Sequence, residues 1–527
     1  FSELGSRKFL FTNRGVLTVA FMVVLFTFIV IGAIGVPAHE YARGFLGGTP
    51  YQSIWYMNAY LIPCALMLTL VGNLRQRYGG RPLAIIGPAI FSLSLIGAAL
   101  TQESLLFILL RIIQGLSSAV CAAVGGGWLN GGIGSKHSQL GKGLFVLVFA
   151  FGATAGIAIS AYTTWYLSWR IVYAFFGIFL GVAWLLIYRY LPKTPSDPSI
   201  TIDWLTFTLI CSGFGLFSFS LAWGNQHEWF QSPFYCIQLS LSLISIILFF
   251  IRLSSAPPLL NPKVFQDINF CISTANLTLI LFAVFLVFNI VPTFMIKVVG
   301  NTVGTYAGPF SCFSLACVAT TFLFAPGINP HAIGSNITQR KISSSIGVFG
   351  FGLTALWMAQ TNAMQSNDNL TIQLSLLGIS FGLILNELLM CFATMPAELT
   401  TTASAVNFFG TNIAKSLSGG LSGAISTASS QGSWERFRME VGVSQEAIAN
   451  FQLPLQNHLH EGIEGGSWSQ ASLEIINHAI SQQAEVITYI NTATLTGWLL
   501  LAFGLLPFLH REEKHSKKIA KTKRRKH

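Results

Sequence analysis

Residues 82–128 read PLAIIGPAIFSLSLIGAALTQESLLFILLRIIQGLSSAVCAAVGGGW, and the only charges among them are Glu103 and Arg111. The Thr-Gln-Glu-Ser break at 101–104 divides the stretch into apolar runs at 82–101 and 104–128. Each is long enough to cross a hydrocarbon core of roughly 30 Å as a helix. Membrane β-strands would be about ten residues long and would alternate apolar with polar, so runs of this kind exclude a barrel.

Working outward, further apolar runs fall at about 15–36, 51–73, 141–163, 171–191, 204–223, 233–252, 270–295, 305–326, 342–361, 371–392, 399–427 and 486–510. The reading is an all-α polytopic membrane protein with about fourteen transmembrane helices. The first run is too long for a signal-peptide core and lacks a small-residue cleavage site, so it is expected to be retained. Composition agrees with this reading. Charged residues make up 9% of the 527 positions, against roughly 25% in soluble proteins. That argues against a soluble enzyme, a disordered chain or a DNA-binding domain.

Basic residues near span ends are held on the cytoplasmic side. With the N-terminus inside, 23 Lys and Arg fall on that side, five fall outside (Arg43, Arg170, Lys297, Arg436 and Arg438), and Arg111 and Lys415 lie within spans. A shift of one span inverts the bias, so both termini are placed in the cytoplasm. The net charge of +11 is mostly the tail 511–527, where nine basic and two acidic residues follow the last span. Such a run clamps onto the anionic inner leaflet, making membrane lipid the expected partner and nucleic acid not one. The long hydrophilic insertion, 428–485, lies outside with seven Glu and two Arg. Its segments SWERFRMEVG and SQASLEIINHAISQQAEV have apolar residues at helical spacing, which predicts two amphipathic helices on the membrane surface: a solvated cap, or a docking face for a periplasmic partner. All eight Cys sit in or beside spans, so neither disulfides nor Cys-bound metal is expected. His458, His460 and Glu461 are an isolated polar-loop cluster, and no metal or cofactor is assigned.

After the second span comes Gly72-Asn-Leu74-Arg-Gln76-Arg77-Tyr-Gly79-Gly-Arg81. Its glycines permit a tight reversal, and its cations hold the turn at the leaflet. The loop resembles the G-x-L-x-D-R-x-G-R-R signature of the major facilitator superfamily, with Gln76 in the place of Asp. Arg111, Gln114 and Gly115 are similar to that family's R-x-x-Q-G, and Trp169-Arg170 with Tyr173 and Phe176 to its W-R-W-x-F. Asp203-Trp204, Trp223-Gly224, Glu228-Trp229-Phe230 and the Pro257–Phe265 segment resemble the branch of fourteen-span drug:proton antiporters. The resemblance implies two six-helix bundles, at 1–192 and at 270–510 with the outer loop 428–485, and two inserted helices within 193–269. It also implies a cavity between the bundles and transport by rocking one against the other.

Two positions depart from the pattern. The acidic residue usual in span one is replaced by Phe28, nine positions before Pro37, and the span-five signature G-P-x-x-G-G becomes Gly156-Ile-Ala-Ile-Ser-Ala161. Charges inside spans default to functional hypotheses. Arg111 matches the family's coupling arginine, for which the plain alternative is a structural Arg bonded to carbonyls or Gln114. Lys415 is a candidate contact for substrate or coupling ion, or a snorkelling cation. Glu387 is the carboxylate well inside a span, a candidate proton carrier or a headgroup-level anchor. Trp55, Tyr60, Asn289, Asn407 and Asn412, together with Asn58 and Asn276, are candidate cavity residues or interhelical contacts, and His39-Glu40 could stand in for the acid missing at Phe28.

The expectation is a secondary transporter, not an enzyme, that moves amphipathic small molecules across an inner membrane, with proton-coupled efflux as the leading reading. Two cations facing one acid favour an anionic substrate. The rivals are an importer of an anionic solute such as a metal chelate, and a non-transporting receptor or scaffold. Topology is directly testable. A fluorescent protein fused after residue 510 should fold and fluoresce, and an alkaline phosphatase inserted near residue 455 should be active. The reverse pattern inverts the orientation.

Overall fold

A computed structural model of the chain describes residues 12–34, 36–49, 52–134, 137–224, 226–253, 262–325, 328–329, 337–362, 365–393, 395–396, 398–443 and 468–510. Helix α1 spans Asn13–Ala33 and a short α2 spans Val36–Phe45. Next come α3 (Gln52–Tyr78), α4 (Gly80–Leu100), α5 (Ser104–Gly127), α6 (Ser138–Tyr166) and α7 (Trp169–Tyr190). After a linker follow α8 (Trp204–Trp223) and α9 (Pro233–Leu253). The rest are α10 (Ile268–Lys297), α11 (Val303–Phe324), α12 (Ile337–Met358), α13 (Asn367–Cys391), α14 (Thr400–Val443) and α15 (Trp468–Phe503).

Twelve described helices are long and apolar enough to cross a membrane, and α12 and α14 bring the set to about fourteen. Those two are polar for an identifiable reason. Thr400, Thr401, Thr402, Ser404, Asn407, Thr411, Asn412 and Lys415 of α14 are all buried, so its polar side chains face other helices and not lipid. Several helices start on a side-chain cap. The hydroxyls of Thr12, Ser168, Thr302 and Ser366, and the carboxylates of Asp203 and Asp267, accept from first-turn backbone amides, as orphan N–H groups at helix starts require.

In the first half α3 packs along α5, α4 between α5 and α7, and α1 against α6 and α7. In the second, α11 packs on α13, α10 on α14 and α15, and α12 on α13 and α15. The halves meet where α6 lies on α11 and where α14 lies on α3 and α5. The pair α8–α9 leans on α3 and α14, with Gly420 of α14 closely fitted against Leu221 of α8. Arg252 of α9 grips the Asp203 carboxylate at 3.1 and 3.2 Å. Burial alone pushes this carboxyl up, but hydrogen bonds from Thr206 and Arg252 outweigh it and hold the group below its usual range.

Two elements differ from the expected layout. The segments expected as separate surface helices are, where described, continuations of spans: α14 runs for 44 residues and α15 for 36. At 1.5 Å per residue these are about 66 and 54 Å long, so each projects well beyond a bilayer core. No proline interrupts 400–443 or 468–503, and nothing else forces the helix to stop. Residues 444–467, including His458, His460 and Glu461, lie outside the described residues, as does the tail 511–527. The second difference is α2, which occupies sequence expected as loop. Pro37 sits in its first turn, where a missing N–H costs nothing.

Close approach of α3 and α5 depends on Gly115. A Cβ there would lie 2.4 Å from the Tyr60 carbonyl oxygen and 3.2 Å from the Cys64 nitrogen, and backbone cannot step aside as a side chain can. Gly115→Ala should lower the thermal midpoint of the detergent-solubilised protein by several degrees, reflecting a cost of about 1–3 kcal/mol. Gly308→Ala, where nothing lies within 4 Å, should leave it within about a degree. Equal midpoints for both variants would refute the tight contact.

Candidate functional site

Arg111 stands on α5 with 1% of its surface exposed. Its Nε donates to the Tyr56 carbonyl at 2.7 Å and its Nη1 to Gln114 Oε1 at 2.9 Å. Gln114 Nε2 in turn donates to the Ser94 carbonyl at 3.0 Å. The guanidinium carbon lies 4.5 Å from the centre of the Tyr60 ring and 5.9 Å from that of Tyr173. Carbonyls, an amide and ring faces therefore hold the charge, with no carboxylate within ion-pair distance among the described residues. The i, i+3 spacing places Arg111 and Gln114 on one face, which is the physical content of R-x-x-Q-G: the glutamine orients the arginine and ties it to α4.

Tyr60 links this group to the interface between the halves. Its hydroxyl donates to the Phe28 carbonyl at 3.1 Å. A Cβ at Gly32 of α1 would lie 3.3 Å from the Tyr60 ring and 3.8 Å from Lys415 Nζ, so Gly32, Tyr60 and the lysine head meet there. Lys415 of α14 is 8% exposed, and its Nζ lies 5.0 Å from the centre of the Phe285 ring. No described carboxylate is within ion-pair distance of it. Around it, Ser416 Oγ donates to Asn58 Oδ1 at 3.3 Å across the two halves, and Asn289 Nδ2 donates to Ser418 Oγ at 3.3 Å. Phe28 turns its ring edge to Phe408 of α14 at 5.1 Å. Where the family pattern has an acid, this chain makes an aromatic contact between halves.

The remaining candidates are spread more widely. Trp55 packs on Phe219 and Trp223 of α8, at 4.8 and 5.0 Å. Asn412 donates to the Phe408 carbonyl of its own helix at 2.8 Å, and Asn276 to the Leu506 carbonyl at 2.9 Å. Asn407 Nδ2 donates to Cys391 Sγ at 3.4 Å, while its Oδ1 is buried without a partner. His39 is buried beside Tyr56. Burial, and secondarily the Arg111 charge, push its imidazole well below the ordinary value, so it stays neutral near pH 7. Glu40 pairs with Arg43 at 2.7 Å. Glu387 lies away from Lys415, bonded to Ser344 and to His510, a residue the sequence reading passed over because it stands at the foot of the last span.

The Gly72–Arg81 segment, expected as a loop, forms the last two turns of α3 and the start of α4 with only Gly79 between the helices, and it touches two partners. Gly72 is fitted against Thr402, and Arg75 donates to the Thr401 hydroxyl, both residues belonging to α14. Leu74 packs near Ile210 of α8. The linker after α7 clasps the other side: the Gln76 carbonyl accepts from Asp197 N at 2.9 Å, Arg77 Nη1 donates to the Ile200 carbonyl at 3.3 Å, and Arg81 N donates to Thr194 Oγ1 at 3.0 Å. Gly79 turns with φ +86° against Thr194, a conformation that favours glycine. Arg75 bridges the halves, yet by charge alone it cannot be told from Arg77 and Arg81.

Comparison with known proteins agrees with this architecture. The chain is 24% identical over 314 residues to an uncharacterized MFS-type transporter, Rv1250, of Mycobacterium tuberculosis, covering 58% of this chain and 51% of that protein. It is 24% identical over 239 residues to the probable multidrug resistance protein EmrY of Escherichia coli, covering 45% and 46%. The alignments thus span about half the length of these relatives. Among solved structures, the human organic anion transporter MFSD10 superimposes with a TM-score of 0.57 at 14% identity, over 93% of this chain and 99% of that one. The family profile matches residues 16–419, and with about fourteen helices in this arrangement the chain belongs to the Major Facilitator Superfamily of multi-pass membrane transport proteins.

Proposed function

We propose that this protein is a secondary transporter that exports amphipathic small molecules bearing an anionic group, driven by protons, across an inner membrane with both termini in the cytoplasm. The observation that carries the reading is Lys415. A buried ammonium without a carboxylate partner among the described residues is costly unless a counter-charge arrives, and here it sits over an aromatic ring where the two halves meet. A ligand carboxylate or sulfonate supplies that charge, and the partly buried Phe285 ring beside it offers an apolar contact to the rest of the molecule. Arg111 adds positive potential from behind Tyr60. A lipophilic cation would meet like charge from both groups. Relatives such as EmrY, described as a probable multidrug resistance protein, support the outward direction.

One observation favours the importer reading. Phe28 removes from α1 the acid on which antiport relies in similar proteins, so direction is decided by the sign of the flux. In proteoliposomes with an imposed pH gradient, aromatic carboxylates should evoke substrate-dependent proton movement opposite to the substrate. Lys415→Ala should cut it by about tenfold or more, roughly 1.4 kcal/mol of lost interaction, and Lys415→Arg should retain most of it. Co-movement of protons and anion would establish import. Transport of lipophilic cations untouched by Lys415→Ala, with no response to anions, would defeat the anion assignment. Absence of flux with every substrate class would favour the receptor or scaffold.

A further inference from the structure

At the cytoplasmic end of the second half, two ionisable side chains not paired with Lys415 are shut away together. Glu387 Oε2 and His510 Nε2 lie 3.1 Å apart, and both side chains have 0% exposure. Four elements enclose them. Ser273 of α10 lies 3.2 Å from the imidazole, Ser344 of α12 donates to Glu387 Oε1 at 3.3 Å, Glu387 is on α13, and His510 follows the 3-10 turn Leu506–Leu509 after α15. Lys341 of α12 donates its Nζ to the His510 carbonyl at 2.6 Å and is itself buried. The other titratable neighbour is the Cys391 thiol, one turn beyond Glu387 on α13. From α10 the contribution is neutral.

The pair sits on the strut that closes the two halves. Regular helix in α13 is interrupted at Leu385, and the segment Asn386–Cys391 resumes immediately before the contact region. Phe392 meets Phe145 of α6 with ring centres 5.4 Å apart. Lys142 of α6 donates to the Ala393 carbonyl at 3.5 Å. Asn407 of α14 donates to Cys391 Sγ. Glu387 thus lies within six residues of the contacts that Phe392 and Ala393, just past α13, make with α6.

We infer that Glu387 and His510 form a proton-binding site that controls the cytoplasmic seal between the two halves. With one shared proton the pair is neutral and stays buried at low cost. A second proton leaves a neutral carboxyl beside an imidazolium, adjacent to the Lys341 ammonium, and two like charges in a dry enclosure repel. Loss of the shared proton leaves a buried carboxylate that accepts from Ser344 and from the neutral imidazole. Acidification is thus the direction that loosens the enclosure and, through Asn386–Cys391, the seal. This deepens the proton-coupled reading above and depends on it only for what the gate serves.

The test reads the gate without substrate. Spin labels at Tyr78→Cys and Gln339→Cys, on the cytoplasmic ends of α3 and α12, would be placed in a protein whose partly exposed native cysteines are replaced by Ser. As pH is lowered from about 8 to about 5, the long-distance population should grow at least twofold. In His510→Gln it should hardly change with pH, whereas Glu387→Gln, an isostere of the neutral carboxyl, needs only the imidazole proton and should open at the same or a higher pH than the parent. Glu485→Gln, which breaks the exposed Lys297 pair in the same half, should follow the parent profile. If His510→Gln does not assemble, His510→Asn carries the same expectation. A flat parent profile, or a His510 variant that follows the parent, overturns the site. Failure of the export reading appears instead as absent proton flux in proteoliposomes, with the distance profile intact.

Discussion

Much of this molecule depends on a buried guanidinium that has no carboxylate within ion-pair distance among the described residues. Arg111 is solvated by the Tyr56 carbonyl, by Gln114 and by the Tyr60 ring, and each of those groups is held by something else: Gln114 by α4, Tyr60 by the Phe28 carbonyl of α1. The arrangement requires α3 and α5 to lie in backbone contact, which Gly115 permits. Hydrogen bonds to a charged group typically contribute about 1.5–3 kcal/mol each. These bonds make the cluster a rigid wall, and Tyr60, the outermost member of the wall, is also the residue beside which Lys415 rests.

Against that wall the second half presents α14, the helix with the polar buried face. Its first turns close on the first half through Thr401, Thr402 and Ser404, packed against Arg75, Gly72, Gly126 and Gly127. Its middle brings Phe408 to Phe28 and Lys415 to Gly32 and Tyr60. One helix thus carries both the contact with the Gly72–Arg81 segment and an ammonium with no carboxylate partner among the described residues. On the function proposed above, an anion neutralising Lys415 would act on the same helix that packs against the first half at Thr401 and Thr402, and protonation of the Glu387–His510 pair would act through α13. The two helices meet one aromatic ring of α6, Phe145, through Phe408 and Phe392.

The sequence made the architecture legible because span length, loop charge and the spacing of Arg111, Gln114 and Gly115 are local properties. The buried cations were legible for the same reason: a charge within an apolar run announces itself. What stayed hidden depends on distance along the chain. His510 was only the last residue of the final apolar run, and the return of that helix to Glu387, 123 positions earlier, gives it a role. Arg75 was one basic loop residue among several until α14 supplied Thr401. Trp55 matched an aromatic pattern, but whether it faces a cavity or the inserted α8 is set by how α8 docks. The extensions of α14 and α15 look amphipathic, and periodicity alone does not distinguish a surface helix from the projecting end of a span.

The central claim is that the interior selects for negative charge through Lys415. Its most direct measurement is equilibrium binding to the purified protein of an isosteric pair, an aromatic carboxylate and its neutral amide, at constant pH. The carboxylate should bind at least about tenfold more tightly, a difference of about 1.4 kcal/mol, and the preference should vanish in Lys415→Gln while the amide affinity stays unchanged. Equal affinities in the parent protein, or a preference that survives the substitution, would contradict the account.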